Sequence, residues 1–118
     1  MFVRAIATAA VVLFAAGAAM ADPVGRYDVR GTNPGNGSSY SGQVAVTKTG
    51  DTYRIVWNVG GQTYTGTGLG SEDFLAVSYR SGNETGLALY SRRPDGSWHG
   101  IWTYAGGNRV GTDRWTPR

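Results

Sequence analysis

Acid–base and nucleophilic chemistry draws on a short menu of side chains, and this sequence offers few of them. Its single histidine, His99, stands between Trp98 and Gly100. A catalytic histidine needs a nucleophile to activate and a third group to orient it. No Gly-x-Ser-x-Gly elbow is present, and no second histidine is available for a metal set. The chain has no cysteine, which removes thiolate metal sites and thiol nucleophiles. The carboxylates are Asp22, Asp28, Asp51, Glu72, Asp73, Glu84, Asp95 and Asp113. Glycoside hydrolysis would require two of them to face each other across a cleft. Asp28 and Asp113 fall on the first and last expected strands, so closure of the sheet brings them near each other, and pairing with Arg30 and Arg114 is the favoured role. The Gly-rich segment Thr32–Ser38 lacks the Gly-Lys-Ser/Thr and following helix of a phosphate cradle. It also lacks the acidic ligands of a calcium loop. The expectation is therefore no catalytic residue, no metal and no cofactor. An alternative is a small envelope hydrolase or isomerase that uses His99 with a carboxylate.

Recognition chemistry is better represented, by four Trp and seven Tyr. Aromatic load at this level suits a tightly filled small core or a recognition surface. The candidate ligand-binding residues are Tyr53, Trp57, Tyr64, Tyr79, Trp98 and Trp102. Core is the default for Trp57 and Trp102, whereas Tyr rings near strand ends favour recognition. One pattern recurs, an aromatic residue followed two positions later by glycine: Tyr40-Ser41-Gly42, Tyr64-Thr65-Gly66 and Trp98-His99-Gly100. Positions i and i+2 of a strand share a face. Gly42, Gly66 and Gly100 are thus expected as structural kinks that let a sheet coil while rings cover bare backbone.

The elements that must hold these residues are strands. Short β-rich runs recur every ten to twelve residues, separated by turn residues, which is the beat of a sandwich or barrel. Eight strands are predicted, over residues 24–31, 39–48, 52–59, 61–68, 73–80, 85–92, 97–104 and 108–115. Connections such as Val59-Gly60-Gly61 and Pro94-Asp95-Gly96 are too short for anything but neighbouring antiparallel strands. Alternation places Tyr53, Ile55 and Trp57 on one face, Leu75, Val77 and Tyr79 on one face, Leu87 with Leu89, and Trp98, Gly100, Trp102 and Tyr104 together. An open meander would expose two edges, and closure removes them. The fold class is all-β: a single eight-stranded antiparallel up-and-down meander closing into a small barrel.

That barrel is expected over residues 22–118, preceded by a helical signal peptide over residues 1–21. Arg4, the apolar stretch from Ala5 to Met20 and the exit Ala19-Met20-Ala21 supply its three parts. The expected localisation is periplasmic or extracellular, as a soluble monomer with no stable membrane insertion after cleavage. An outer-membrane barrel would need a continuous lipid-facing apolar band, which Arg54, Arg80, Glu84, Arg92 and the Thr63-Thr65-Thr67 face interrupt. Beyond the signal, ten basic residues oppose eight acidic ones, and they are scattered rather than clustered. No basic stripe for nucleic acid is present.

Two resemblances emerge from particular residues. Gly25-Arg26-Tyr27 and Arg114-Trp115 resemble the first and last strands of calycin-type barrels, the lipocalin and avidin group. In those barrels a Gly-x-Trp opens the first strand and a basic residue of the last strand lies against that ring. The resemblance implies structural roles for Gly25, Tyr27 and Arg114, with Tyr27 departing from the usual Trp. More of the chain is similar to a family of small exported bacterial proteins, often labelled fibronectin-binding-like or simply uncharacterised. The similar stretches are Gly31-Thr32-Asn33-Pro34, Tyr40-Ser41-Gly42, residues 47–54, residues 75–79 and Trp98-His99-Gly100-Ile101-Trp102. It implies no catalytic residues. The expected function is non-enzymatic binding, of a small apolar or aromatic ligand at the barrel mouth or of an extracellular protein partner such as a matrix protein. A structural envelope or stress protein without a ligand is the remaining alternative.

Overall fold

Strand formation here follows from strict two-residue alternation. In the segment Thr52–Val59, Tyr53, Ile55 and Trp57 are buried while Arg54 and Asn58 are exposed, the pattern of a strand with one face in a core. The structure, a computed structural model, describes residues 22–118. The signal peptide expected over residues 1–21 lies outside the described residues. The strands are β1 (Gly25–Thr32), β2 (Ser39–Thr49), β3 (Thr52–Val59), β4 (Gln62–Gly70), β5 (Phe74–Ser81), β6 (Glu84–Arg92), β7 (Trp98–Tyr104) and β8 (Gly111–Pro117). Each pairs antiparallel with its predecessor, and β8 returns to β1 from Tyr27↔Pro117 to Thr32↔Thr112. The result is a closed eight-stranded barrel with no free edge. The β3–β4 connection shows why the meander is so tight. Gly60 and Gly61 both hold positive φ, 60° and 78°, as a two-residue hairpin turn matched to the strand twist demands.

The last strand starts later than its sequence suggests. Residues 108–110 belong to a connection, not to β8, because Gly106 turns the chain and Thr103 Oγ1 donates a 2.7 Å hydrogen bond to the Arg109 carbonyl. That bond holds the segment against β7 instead of in the ladder.

Closure depends on large residues standing opposite missing side chains. Tyr40 is registered against Gly31, Tyr79 against both Gly66 and Gly86, and Tyr90 against Gly100. A Cβ on Gly100 would run into the Tyr90 ring, and one on Gly86 into the Tyr79 ring. The ring that covers each of these glycines therefore belongs to the adjacent strand. The i, i+2 neighbour on the same strand, which the aromatic-x-Gly pattern suggests, does not do this job. Small and large inward residues alternate across strands, which fits rings into a narrow barrel.

The two ends of the barrel differ. The end formed by the starts of odd strands and the ends of even strands is filled by Tyr27, Tyr53, Leu75, Trp98 and Trp115. Pro23 closes it from below, accepting a 2.7 Å hydrogen bond from the Tyr27 hydroxyl. Outside, the register aligns Leu69, Ala76, Leu89 and Ile101 in one row across β4–β7. Leu69, Leu89 and Ile101 in this row are exposed. Leu87 and Leu89 do share a face, and it is the outer one.

Candidate functional site

At the opposite end, where odd strands finish and even strands begin, the barrel is open. A cavity of about 250 Å³ lies there, lined by residues from Tyr40 of β2 round to Asp113 of β8. Its walls are rings: Trp57 from β3, Tyr64 from β4, Tyr79 from β5, and Trp102 and Tyr104 from β7. Alternation turns each inward, and its place near the mouth end of its strand brings it to the opening. Successive rings meet close to perpendicular. Tyr64 and Tyr79 lie 6.2 Å apart at 75°, Tyr79 and Trp102 6.0 Å apart at 72°, and Trp102 and Tyr104 5.3 Å apart at 83°. Edge-to-face contacts at these separations stabilise each other and fix the ring planes.

The floor of the cavity is a carboxylate. Asp113 is 4 % exposed, and it is held by four aromatic donors. Tyr40 Oη donates to Oδ1 at 2.7 Å. Tyr90 Oη, Trp115 Nε1 and Trp57 Nε1 donate to Oδ2 at 2.6, 2.9 and 3.2 Å. Burial raises the Asp113 carboxyl above its ordinary value, against the opposing pull of these hydrogen bonds. Burial likewise raises the hydroxyls of Tyr40, Tyr64, Tyr79 and Tyr90, so all remain neutral donors at ordinary pH. Trp102 Nε1 is fixed by a 3.1 Å hydrogen bond to the Thr112 carbonyl. Glu84 stands at the rim, at the start of β6, and Asn33 adds an amide.

Of the residues expected to bind ligand, Trp57, Tyr64, Tyr79 and Trp102 are brought together here. Tyr53 and Trp98 are not: both sit at the starts of odd strands, in the filled end. Sequence reasoning missed Tyr40, Tyr104, Glu84 and Asp113 as cavity residues. An antiparallel meander places the starts of even strands and the ends of odd strands at one mouth, and this rule separates the two groups. Gly42, Gly66 and Gly100 face inward, each hemmed in by a neighbouring strand, and Gly25 opens β1 beside the Tyr27 ring.

Two placements overturn expectations. Asp113 pairs with neither Arg30 nor Arg114, because its position on β8 faces the lumen while both arginines face outward. Asp28 is also outward, 3.5 Å from the Arg118 guanidinium in an exposed ion pair. Nor does Arg114 lie against Tyr27. Trp115 takes that place, with ring centroids 5.5 Å apart. His99 lies on the outer side of β7 opposite Ser91 and Arg114. Its Nε2 is buried with no hydrogen-bond partner among the described residues. Desolvation first, then the nearby Arg114 and Arg93 charges, lowers its pKa, with Asp95 opposing. Among the described residues no cluster of His, Asp and Glu could hold a metal ion. No family model matches the chain, and no curated protein matches it.

Proposed function

We propose that this protein is an exported, non-enzymatic binding barrel that takes one small organic ligand into its open mouth. The observation that carries this reading is the asymmetry of the lumen, filled from Pro23 to Trp115 and open above Asp113. Eight-stranded barrels have just enough interior for side chains or for one small ligand. A cavity of about 250 Å³ lies below the range that accepts drug-sized molecules, so the ligand is small. Ring planes locked by edge contacts and by hydrogen bonds to Asp113 and Thr112 are preorganised, which keeps the entropic cost of binding low. Calorimetric titration with a panel of small probes (indole, phenol, choline) tests the site. At least one probe is expected to bind, and Val59→Trp, which places a large ring at the rim, is expected to weaken it about tenfold or more. Heat from every probe indistinguishable from dilution contradicts the reading, as does binding that Val59→Trp leaves unchanged.

The outer row Leu69, Ala76, Leu89 and Ile101 favours a second reading, a protein partner laid across β4–β7. Apolar side chains aligned on one face mark interaction surfaces more often than scattered ones do. Surface plasmon resonance against immobilised fibronectin is expected to give a response that Leu89→Glu reduces about tenfold. No response from the wild type, or an unchanged response from the variant, removes this reading.

A further inference from the structure

The chain as a whole is basic, with a formal net charge of +3. The mouth has the opposite sign. Among the described residues its charged lining consists of two carboxylates, Glu84 at the rim and Asp113 on the floor, with no Arg or Lys beside them. Between those two levels stand Tyr64, Tyr79, Trp102 and Tyr104, in a series of near-perpendicular rings. Such a series is the arrangement of an aromatic cage, in which a ligand meets π-faces as well as ring edges. The faces carry the negative end of the ring quadrupole and attract a desolvated cation.

The Asp113 hydrogen bonds point the same way. Oδ2 accepts three of the four bonds, whereas Oδ1 accepts only that from Tyr40. Oδ1 keeps accepting capacity, and the residue borders the cavity. A neutral ligand entering the mouth would close this carboxylate off further and offer no charge in return, which is costly. An anion would meet two like charges. A cation meets a carboxylate above, a carboxylate below and rings around its waist. We infer, on the basis of the small-ligand reading, that the mouth selects small organic cations of the alkylammonium class, with a trimethylammonium head as the fitting size.

Choline and its neutral isostere 3,3-dimethylbutan-1-ol differ by one charge at the same shape, so their comparison isolates the inference. Calorimetric titration of the purified protein at low ionic strength is expected to give binding of choline at least tenfold tighter than of the isostere. Glu84→Gln, at an exposed rim position, is expected to weaken choline about three- to fivefold and to leave the isostere unchanged. Asp113→Asn is expected to weaken choline about tenfold or more. Should Asp113→Asn fail to fold, the ligand pair and the Glu84 variant still decide the matter. Equal affinity for choline and the isostere, or binding of indole or phenol without choline, overturns cation selectivity and leaves the small-ligand reading standing. Failure of all four compounds overturns both.

Discussion

Asp113→Ala is expected to lower the free energy of unfolding by about 3–5 kcal/mol, enough to leave little folded protein if the starting stability is at the low end for a domain of this size. The variant deletes one carboxylate but strands several partners. Trp57 Nε1, Trp115 Nε1 and the Tyr90 hydroxyl all converge on Oδ2. An indole N–H can only donate, so neither tryptophan can turn its polar atom to another use. Each orphaned buried donor costs about 1–3 kcal/mol. Tyr40 escapes, because its hydroxyl also lies 3.0 Å from the Thr112 carbonyl.

Asp113→Asn is expected to be much milder, at about 1 kcal/mol. Its amide oxygen can take the Oδ2 position and keep three donors satisfied. Its NH2 then faces Tyr40, which accepts while donating to Thr112. Thermal or urea unfolding of the two variants beside the wild type checks the difference. Similar losses for Ala and Asn would show that charge, not acceptor geometry, holds the aromatic floor together. The sign of the pH effect follows from burial, which raises the carboxyl above its unfolded value. Such a group contributes stability that is fully present below about pH 3.9 and lost as pH rises through the folded value. The wild type is therefore expected to gain on Asp113→Asn as the pH is lowered.

Trp115→Ala is expected to cost about 3–5 kcal/mol, the range for deleting a large buried ring. Trp115 is 0 % exposed, and it packs against Tyr27, Trp57, Tyr90 and Trp98 at centroid distances of 5.5, 6.1, 4.3 and 6.4 Å. Those neighbours are themselves anchored in strands of a closed barrel and cannot collapse into the vacated space. The loss corresponds to a fall of about 12–24 °C in Tm at the lower end of that cost. Differential scanning calorimetry measures it. A fall of only a few degrees would mean that the filled end repacks and that its closure does not depend on this ring.

The fold was readable because every inward position obeys a period of two and every connection is short. Tyr53, Ile55 and Trp57, or Leu75, Val77 and Tyr79, announce a buried face without reference to any partner strand. What alternation does not carry is height along the barrel. Trp98 and Trp102 share a face four residues apart, yet one is sealed in the filled end and the other walls the mouth. Asp113 was hidden for a related reason. A carboxylate flanked by Gly111-Thr112 and Arg114-Trp115 looks like an ion-pair partner, because three of its four donors come from β2, β3 and β6 and only closure brings them to β8. The same long-range register explains the misplaced cover of the glycines: Tyr90 meets Gly100 across strands, a pairing the local sequence does not contain.

The four tryptophans provide the most direct test of a ligand-accepting mouth, since two line the cavity and two lie in the filled end. A ¹H–¹⁵N correlation spectrum resolves one indole N–H signal for each. On titration with indole or choline, the Trp57 and Trp102 signals are expected to shift in a saturable way while Trp98 stays in place. Four signals that stay fixed across the panel, or a Trp98 signal that moves as far as Trp102, would contradict a barrel that is open at one end and filled at the other.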